Sequence, residues 1–263
     1  MAKFCPLASS SAGNCTYIAA SGGAVLVDAG ISCRRITQAL AELDTHPSAL
    51  AAVLITHEHI DHIKGLRLLT ARTGLAVYAT PAVLDYLIEH DHVAPGTPLV
   101  EVGESPLVVG GMEVTAFHTS HDSVDSVGYR LVTPDGHAVA VATDLGEVTA
   151  PVDRGLAGCE LVMLESNYDL LLLRMGPYPP FLKRRIASKQ GHLPNDSCAD
   201  LACRLIEQGT TRLVLAHLSR ENNNPSLAYQ TVDDALRACG AVARVDYELD
   251  VAPYDAAGRL VRL

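Results

Sequence analysis

The chain has 263 residues, 48% hydrophobic and 19% charged, which is enough to bury a sizeable core and suits one enzyme-sized domain over residues 1–263. Its formal charge of −10 disfavours nonspecific attraction to polyanions, and no apolar run approaches the roughly 18 residues of a membrane-spanning helix. The start "MAKFCPLASSSAGNC" lacks the regions of a signal peptide, and the seven scattered cysteines contain no CxxC pair; a reduced, cytoplasmic protein without membrane insertion is expected, not a disulfide scaffold or thiolate zinc site.

In chain order, the β-type runs "CTYIAA" and "AVLVDAG" precede "ISCRRITQALAELD", where Ile36, Leu40 and Leu43 mark one face of a helix. The run "AAVLIT" then leads into "THEHIDH", and Gly65 to Arg72 reads as helix. His57 and His59 therefore lie two apart on an extended loop and can point the same way, while Asp61 and His62 fall at a helix start. Imidazole and carboxylate donors suit zinc, manganese or iron and discriminate poorly among them. Polar residues in a capped turn are the bland alternative, and four ligand-type side chains within six positions weigh against it.

Further along, "LAVYAT", "MEVTAFHT", "VGYRLVT", "AVAVAT", "LVMLES", "LVLAHLS" and "RVDYELDVAPY" read as strands. "PAVLDYLIEHD", "DSCADLACRLIEQG" and "LAYQTVDDALRACG" read as helices, and "YRLVTPDGHAVAV" and "PYDAAGRLVRL" as hairpins. The proline-interrupted stretch "LLLLRMGPYPPFLKRRIASKQGHLPND" reads as a long basic loop, either functional or simply solvated. Two β-rich halves, each followed by helices, predict an α/β fold with sheets packed face to face and helices outside.

A two-metal centre needs about six or seven donors. His121, Asp144 and His217 stand at strand ends where such donors belong, although each alone is more often a satisfied core or surface residue, and His118 rivals His121.

In order, "VDAG", "THEHIDH", "SHD", "TDLG" and "AHLS" resemble the successive motifs of the metallo-β-lactamase-fold hydrolases, over most of the chain. The resemblance implies a four-layer αββα sandwich with a two-metal site along one edge. By motif position His57, His59 and His121 hold one ion, Asp61, His62 and His217 the other, and Asp144 bridges them. The "SHD" context favours His121 over His118, and Asp28 supports the ligands from behind or caps the following helix. No cysteine ligand is present, so phosphodiester chemistry is expected ahead of lactam hydrolysis.

"LVMLESNYD" and "GHLPND" resemble the glutamate and Gly-His loop of ribonuclease Z-like phosphodiesterases, with Leu193 and Pro194 where that loop carries serine. This implies that Glu165 orients His192, which stabilises the phosphorane or protonates the leaving oxygen. Asp61 joins them among the catalytic residues, and a hydroxide activated by two metals attacks.

"SSSAGNCTYI", "SHDSVDSVGY", "LESNYD", "GPYPPFLKRRI" and "LAHLSRENNNP", with the blocks above, resemble the YycJ/WalJ group. That resemblance implies a 5′-to-3′ exonuclease on DNA, with RNA as a second substrate and a link to DNA repair. It also implies two divalent ions, Mn²⁺ or Zn²⁺, with Mn²⁺ favoured for activity. Lys183, Arg184 and Arg185 would hold the phosphate backbone, Tyr178 and Phe181 would stack on a terminal base or anchor the loop, and Asn14 would contact a phosphate or form its turn. A hydrolase of small cyclic phosphodiesters is the alternative that the acidic charge supports, and a non-catalytic metal-binding regulator of envelope signalling is the alternative of another class. Monomer and oligomer both stay open.

Overall fold

In the computed structural model, which describes residues 1–263, strand residues alternate between two buried faces. On β3 (Gly23–Val27), Val25 and Val27 point one way and Ala24 and Leu26 the other, into two different cores. The first sheet starts with β1 (Lys3–Ala8), β2 (Cys15–Ala20) and β3 in antiparallel order. It continues in parallel through β4 (Leu50–Leu54), β5 (Ala76–Ala79) and β6 (Leu99–Glu101). Parallel neighbours need crossovers, and α1 (Cys33–Glu42), α2 (Ile60–Ile63), α3 (Leu66–Thr73) and α4 (Pro81–Glu89) supply them.

The second sheet repeats the plan. Strands β7 (Leu107–Val109), β8 (Met112–His118), β9 (Val127–Val132) and β10 (Ala138–Ala142) pair antiparallel. Then β11 (Leu161–Glu165), β12 (Arg212–Ala216) and β13 (Glu248–Val251) add in parallel. The connecting helices are α5 (Ala150–Leu156), α6 (Leu170–Met175), α7 (Pro180–Ile186), α8 (Asn195–Glu207) and α9 (Pro225–Ala238). A final strand, β14 (Val261–Arg262), returns to β1, so each sheet has seven strands.

Three cores separate four layers, as the expected αββα sandwich requires. Val25, Leu54, Val114, Tyr129, Val141 and Met163 fill the space between the sheets. Leu26 and Val53 meet Ile36, Leu40, Leu69 and Leu84 outside the first sheet, while Val162, Leu164 and Leu215 meet Val152, Leu201, Leu205, Val232 and Leu236 outside the second. No helix is long and apolar enough to cross a membrane.

The structure corrects two expectations. The basic stretch after β11 is not one irregular loop but the short helices α6 and α7, which pack on a small separate cluster of Tyr168, Leu173 and Ile186. Asp169 caps α6 by accepting from Leu172 N (2.8 Å), and Pro180 opens α7, where a missing N–H costs nothing. Each helix is too short to show a helical period. The C-terminal segment is not a hairpin: β13 pairs with β12, whereas β14 crosses to β1 and buries Val261 between the sheets beside Phe4.

Candidate metal centre

The carboxyl ends of the parallel strands open on one edge of the sandwich, where the chain leaves its hydrogen-bonded ladder and can present polar side chains. Asp28 follows β3, His57 follows β4, Asp144 follows β10, Glu165 ends β11 and His217 follows β12. Asp28, Asp144 and His217 adopt left-handed backbone, with φ of 63°, 60° and 54°. Such conformations cost about 1–3 kcal/mol each in side-chain-bearing residues and persist where surrounding contacts fix them. The start of α2 adds Asp61 and His62, the loop after β8 adds His121, and the loop after α7 adds His192.

Close backbone approach joins the first three loops. Asn14 N donates to Asp61 O (2.8 Å) and Gly30 N to Asn14 O (2.7 Å). A Cβ on Gly30 would stand 1.6 Å from Asp61 O, so only glycine allows this junction.

The possible ligand atoms of His57, His59 and His121 lie within 4.8 Å of one another, as do those of Asp61, His62 and His217. Asp144 touches both groups, with Oδ2 3.2 Å from His62 Nε2 and Oδ1 3.5 Å from His121 Nε2. These two groups coincide with the sets that motif order pairs, and two further groups overlap them: His57, His62 and Asp144, and Asp144, Glu165, His192 and His217. His118 is exposed and turned to Asp125 (3.1 Å), outside both groups. Buried His57 Nε2 has no hydrogen-bond partner in the protein, and Asp144 Oδ2 has only the approach of His62 Nε2 at 3.2 Å. Imidazoles and carboxylates converging around such orphaned lone pairs fit divalent cations.

A surrounding layer sets the tautomers. Carboxylate and carbonyl oxygens can only accept, so the imidazole nitrogen facing them carries the proton. His62 Nδ1 donates to Asp28 (2.7 Å), His121 Nδ1 to Gly191 O (3.0 Å) and His217 Nδ1 to Glu165 (2.9 Å). Each leaves Nε2 for the cluster, the arrangement that raises ligand basicity. Asp28 also accepts from Thr56 N (2.9 Å), the supporting alternative of its two expected roles, while Ser32 and not Asp28 caps the following helix.

Fully buried Glu165 serves two imidazoles. One oxygen accepts from His192 Nδ1 (2.8 Å) and His217 Nδ1; the other accepts from Leu145 N (2.6 Å) and Leu193 N (3.2 Å). His192 therefore keeps Nε2 free in a cleft of about 310 Å³ lined also by His59, Asp61, His121, Asp144, His217 and Arg185.

Electrostatics separates the groups. Burial would make His217 harder to protonate, but Asp144, Asp61 and Glu165 lift its pKa to about 10. Burial opposes His62 as well, yet Asp28, Asp144 and Asp61 raise it well above its ordinary value. Burial disfavours charge on Asp144, but His217, His62 and His121 hold its carboxyl well below the usual range. His57 goes the other way, because burial and the neighbouring His62 push it well down. The cluster is thus a charge-compensated set in which protons and cations compete for the same lone pairs.

Several sequence expectations are narrowed or revised here. Of the two roles expected of Asn14 the structure shows the turn-forming one: buried, it accepts from Ser10 N (3.2 Å) and donates to Ser10 O (3.1 Å), and its side-chain nitrogen also contacts His62 Nε2 (3.1 Å) and Asp61 Oδ2 (3.4 Å), so it steadies two cluster residues as well. Lys183 Nζ donates to Arg174 O (2.8 Å) and Gly176 O (2.7 Å), which ties its charge to the end of α6. Tyr178 packs half-buried against the small α6–α7 cluster, in line with the anchoring alternative. Arg184 and Phe181 are exposed, and Arg185 stands at the cleft. Sequence reasoning missed Asn167, whose Nδ2 donates to His217 O (2.7 Å), and Asp122, which holds Arg185; the neighbouring "LES" and "SH" positions were the available signals.

The sequence matches the Beta-lactamase superfamily domain over residues 24–218. It is 34% identical to the exodeoxyribonuclease WalJ of Streptococcus pneumoniae over 256 residues, covering 95% of this chain and 94% of that protein. It is also 34% identical to the exodeoxyribonuclease YycJ of Bacillus anthracis over 242 residues, 90% of each. Among solved structures, the metallo-β-lactamase-fold protein YhfI of Bacillus subtilis superposes with a TM-score of 0.72 over 98% of both chains at 15% identity, a likeness of fold. With its motif order, four layers and histidine-carboxylate edge, the chain belongs to the beta-lactamase superfamily as a metal-dependent hydrolase similar over nearly its whole length to the WalJ and YycJ proteins.

Proposed function

We propose that the 263 residues work as one cytoplasmic domain that cleaves phosphodiesters in DNA from the 5′ end, with RNA as a second substrate. The names of the two relatives support the substrate class. The observation that carries the chemistry is the Glu165–His192 pair beside the histidine-carboxylate cluster. His57, His59 and His121 would hold one divalent ion, Asp61, His62 and His217 the other, and Asp144 both; Mn²⁺ is the favoured activator and Zn²⁺ the rival. When bound, two such ions supply charge stabilisation to an in-line displacement and a nucleophile at neutral pH.

The protein's own contribution is positional and acid–base. Glu165 fixes the tautomer of His192, so that Nε2 faces the cleft and can hydrogen-bond a phosphoryl oxygen or deliver a proton to the leaving oxygen. The same carboxylate orients His217, which links the acid to the cation site. Asp61, partly open to the cleft, would steer the attacking water by accepting its hydrogen bond.

The test compares kcat/KM on a DNA oligonucleotide, an RNA oligonucleotide and a cyclic nucleotide in Mn²⁺, Zn²⁺ and Mg²⁺. The account expects DNA to lead with Mn²⁺ present. Faster turnover of the cyclic nucleotide would replace it with the small-phosphodiester alternative.

A further inference from the structure

The basic residues of the α6–α7 segment are not equivalent. Lys183 is occupied by two carbonyls, Lys189 pairs with Glu147 (3.0 Å) away from the cleft lining, and Arg184 is exposed. Arg185 alone among them lines the cleft that contains Asp61, His121, Asp144 and His192. Its guanidinium is held in a two-point fork by Asp122, with Nε 2.5 Å from Oδ2 and Nη2 2.9 Å from Oδ1.

Asp122 is itself fixed. Its N–H donates to Gln190 O (3.0 Å), and the two residues before it reach the residues flanking Gln190: Ser120 Oγ donates to Lys189 O (2.6 Å) and His121 Nδ1 to Gly191 O (3.0 Å). The loop that carries His121 and the loop that follows α7 are therefore stitched together beneath the fork. Gly191 belongs to this seam, since a Cβ there would stand 2.2 Å from Ile186 O.

A guanidinium has five N–H groups in one plane, and the Asp122 fork uses two of them. The remaining three stay in that plane, on a half-exposed side chain at the mouth of the cleft. An oriented planar donor of this kind matches phosphate oxygens. The scissile phosphate belongs with the histidine cluster, so a phosphate at the mouth is a different one.

We propose that Arg185, oriented by Asp122, reads a second, non-scissile phosphate and so separates nucleic-acid chains from small phosphodiesters at the same centre. The proposal rests on the phosphodiesterase account above and names what makes that centre prefer a polymer. Asp122 acts on that phosphate through Arg185 and is a positioning residue; its Oδ1 also lies 3.6 Å from His121 Nε2, an influence on the centre that both substrates share.

The experiment takes the ratio of kcat/KM for a DNA oligonucleotide to kcat/KM for bis-p-nitrophenyl phosphate, which has only one phosphate. Arg185→Ala should lower this ratio about ten- to hundredfold, chiefly through KM on DNA, in line with the loss of a charge-assisted phosphate contact. Arg185→Lys should recover only part, because the charge returns without the fork. Asp122→Asn should lower the ratio severalfold. The same order is expected for Kd of a fluorescent DNA oligonucleotide measured by anisotropy in EDTA, where no turnover occurs. An unchanged ratio in Arg185→Ala, or tighter DNA binding by Asp122→Asn, would overturn the proposal. A wild-type protein that hydrolyses bis-p-nitrophenyl phosphate but no oligonucleotide would remove the nuclease account and this inference with it, a result distinct from equal losses on both substrates.

Discussion

The strand-end cluster and the α6–α7 segment face the same cleft and are built in opposite ways. In the cluster, His57, His62, His121, Asp144, Glu165 and His217 are buried, and most are held by a named second partner. In the segment, Leu171, Met175 and Phe181 are 64%, 77% and 68% exposed, and three buried residues form its whole core. Chemistry needs groups fixed to a fraction of an ångström, so it sits where two sheets hold it; substrate contact tolerates a lightly packed excursion. Changes in the cluster should therefore act on rate and cation binding, and changes in the segment on substrate affinity and local order.

The largest separation is expected from His192→Ala, which should lower kcat about a hundred- to ten-thousandfold while bound metal, measured by plasma emission, stays at the wild-type level. Loss of metal in parallel would make His192 a ligand and dissolve its role as acid. Asn14→Ala should weaken cation binding about ten- to hundredfold, the usual effect of removing a group that steadies ligands. Calorimetric titration with Mn²⁺ reads it, and unchanged affinity would reduce Asn14 to a turn former.

Cation binding should also depend on pH with a fixed sign. The pKa of His217, lifted to about 10 by Asp144, Asp61 and Glu165 against burial, means that the ion-free protein carries a proton that the cation must displace. Affinity should rise with pH by up to about tenfold per unit for each proton released, flattening above that pKa, with the release visible as a buffer-dependent heat. A pH-independent affinity would contradict it. The smallest effect belongs to the segment: Leu173→Ala empties its small core and should speed amide exchange across α6 and α7 with little change in Tm. Leu26→Ala, in the large outer core, should cost about 2–5 kcal/mol of global stability.

What was legible in the sequence follows the same division. The candidate donors of "THEHIDH", Asp144 and His217 are readable because each follows an apolar strand run, and strand ends in a parallel sheet share one edge; choosing His121, which follows an antiparallel strand, over His118 and pairing the donors into two sets took the resemblance to the family motifs. The four long amphipathic helices α1, α4, α8 and α9 declare themselves by period. The α6–α7 helices do not, being under two turns each, and Lys183 looked free because its carbonyl partners are set only by helix geometry. The turn role of Asn14 is legible, but its contact with the cluster is not: whether a loop amide also meets a buried carboxylate depends on the approach that Gly30 permits between distant segments. The terminal turn resembled a hairpin because sequence shows strand spacing and not which sheet each strand joins.

The account is tested most directly by digesting DNA oligonucleotides labelled at the 5′ or the 3′ end, with Mn²⁺, using the wild-type protein and Asp144→Ala. It predicts early release of short labelled product from the 5′-labelled strand only, stepwise shortening of the 3′-labelled strand, and activity in Asp144→Ala reduced on the order of a thousandfold. Full activity in Asp144→Ala, or intact DNA after incubation with a wild-type protein shown to bind its metals, would contradict it.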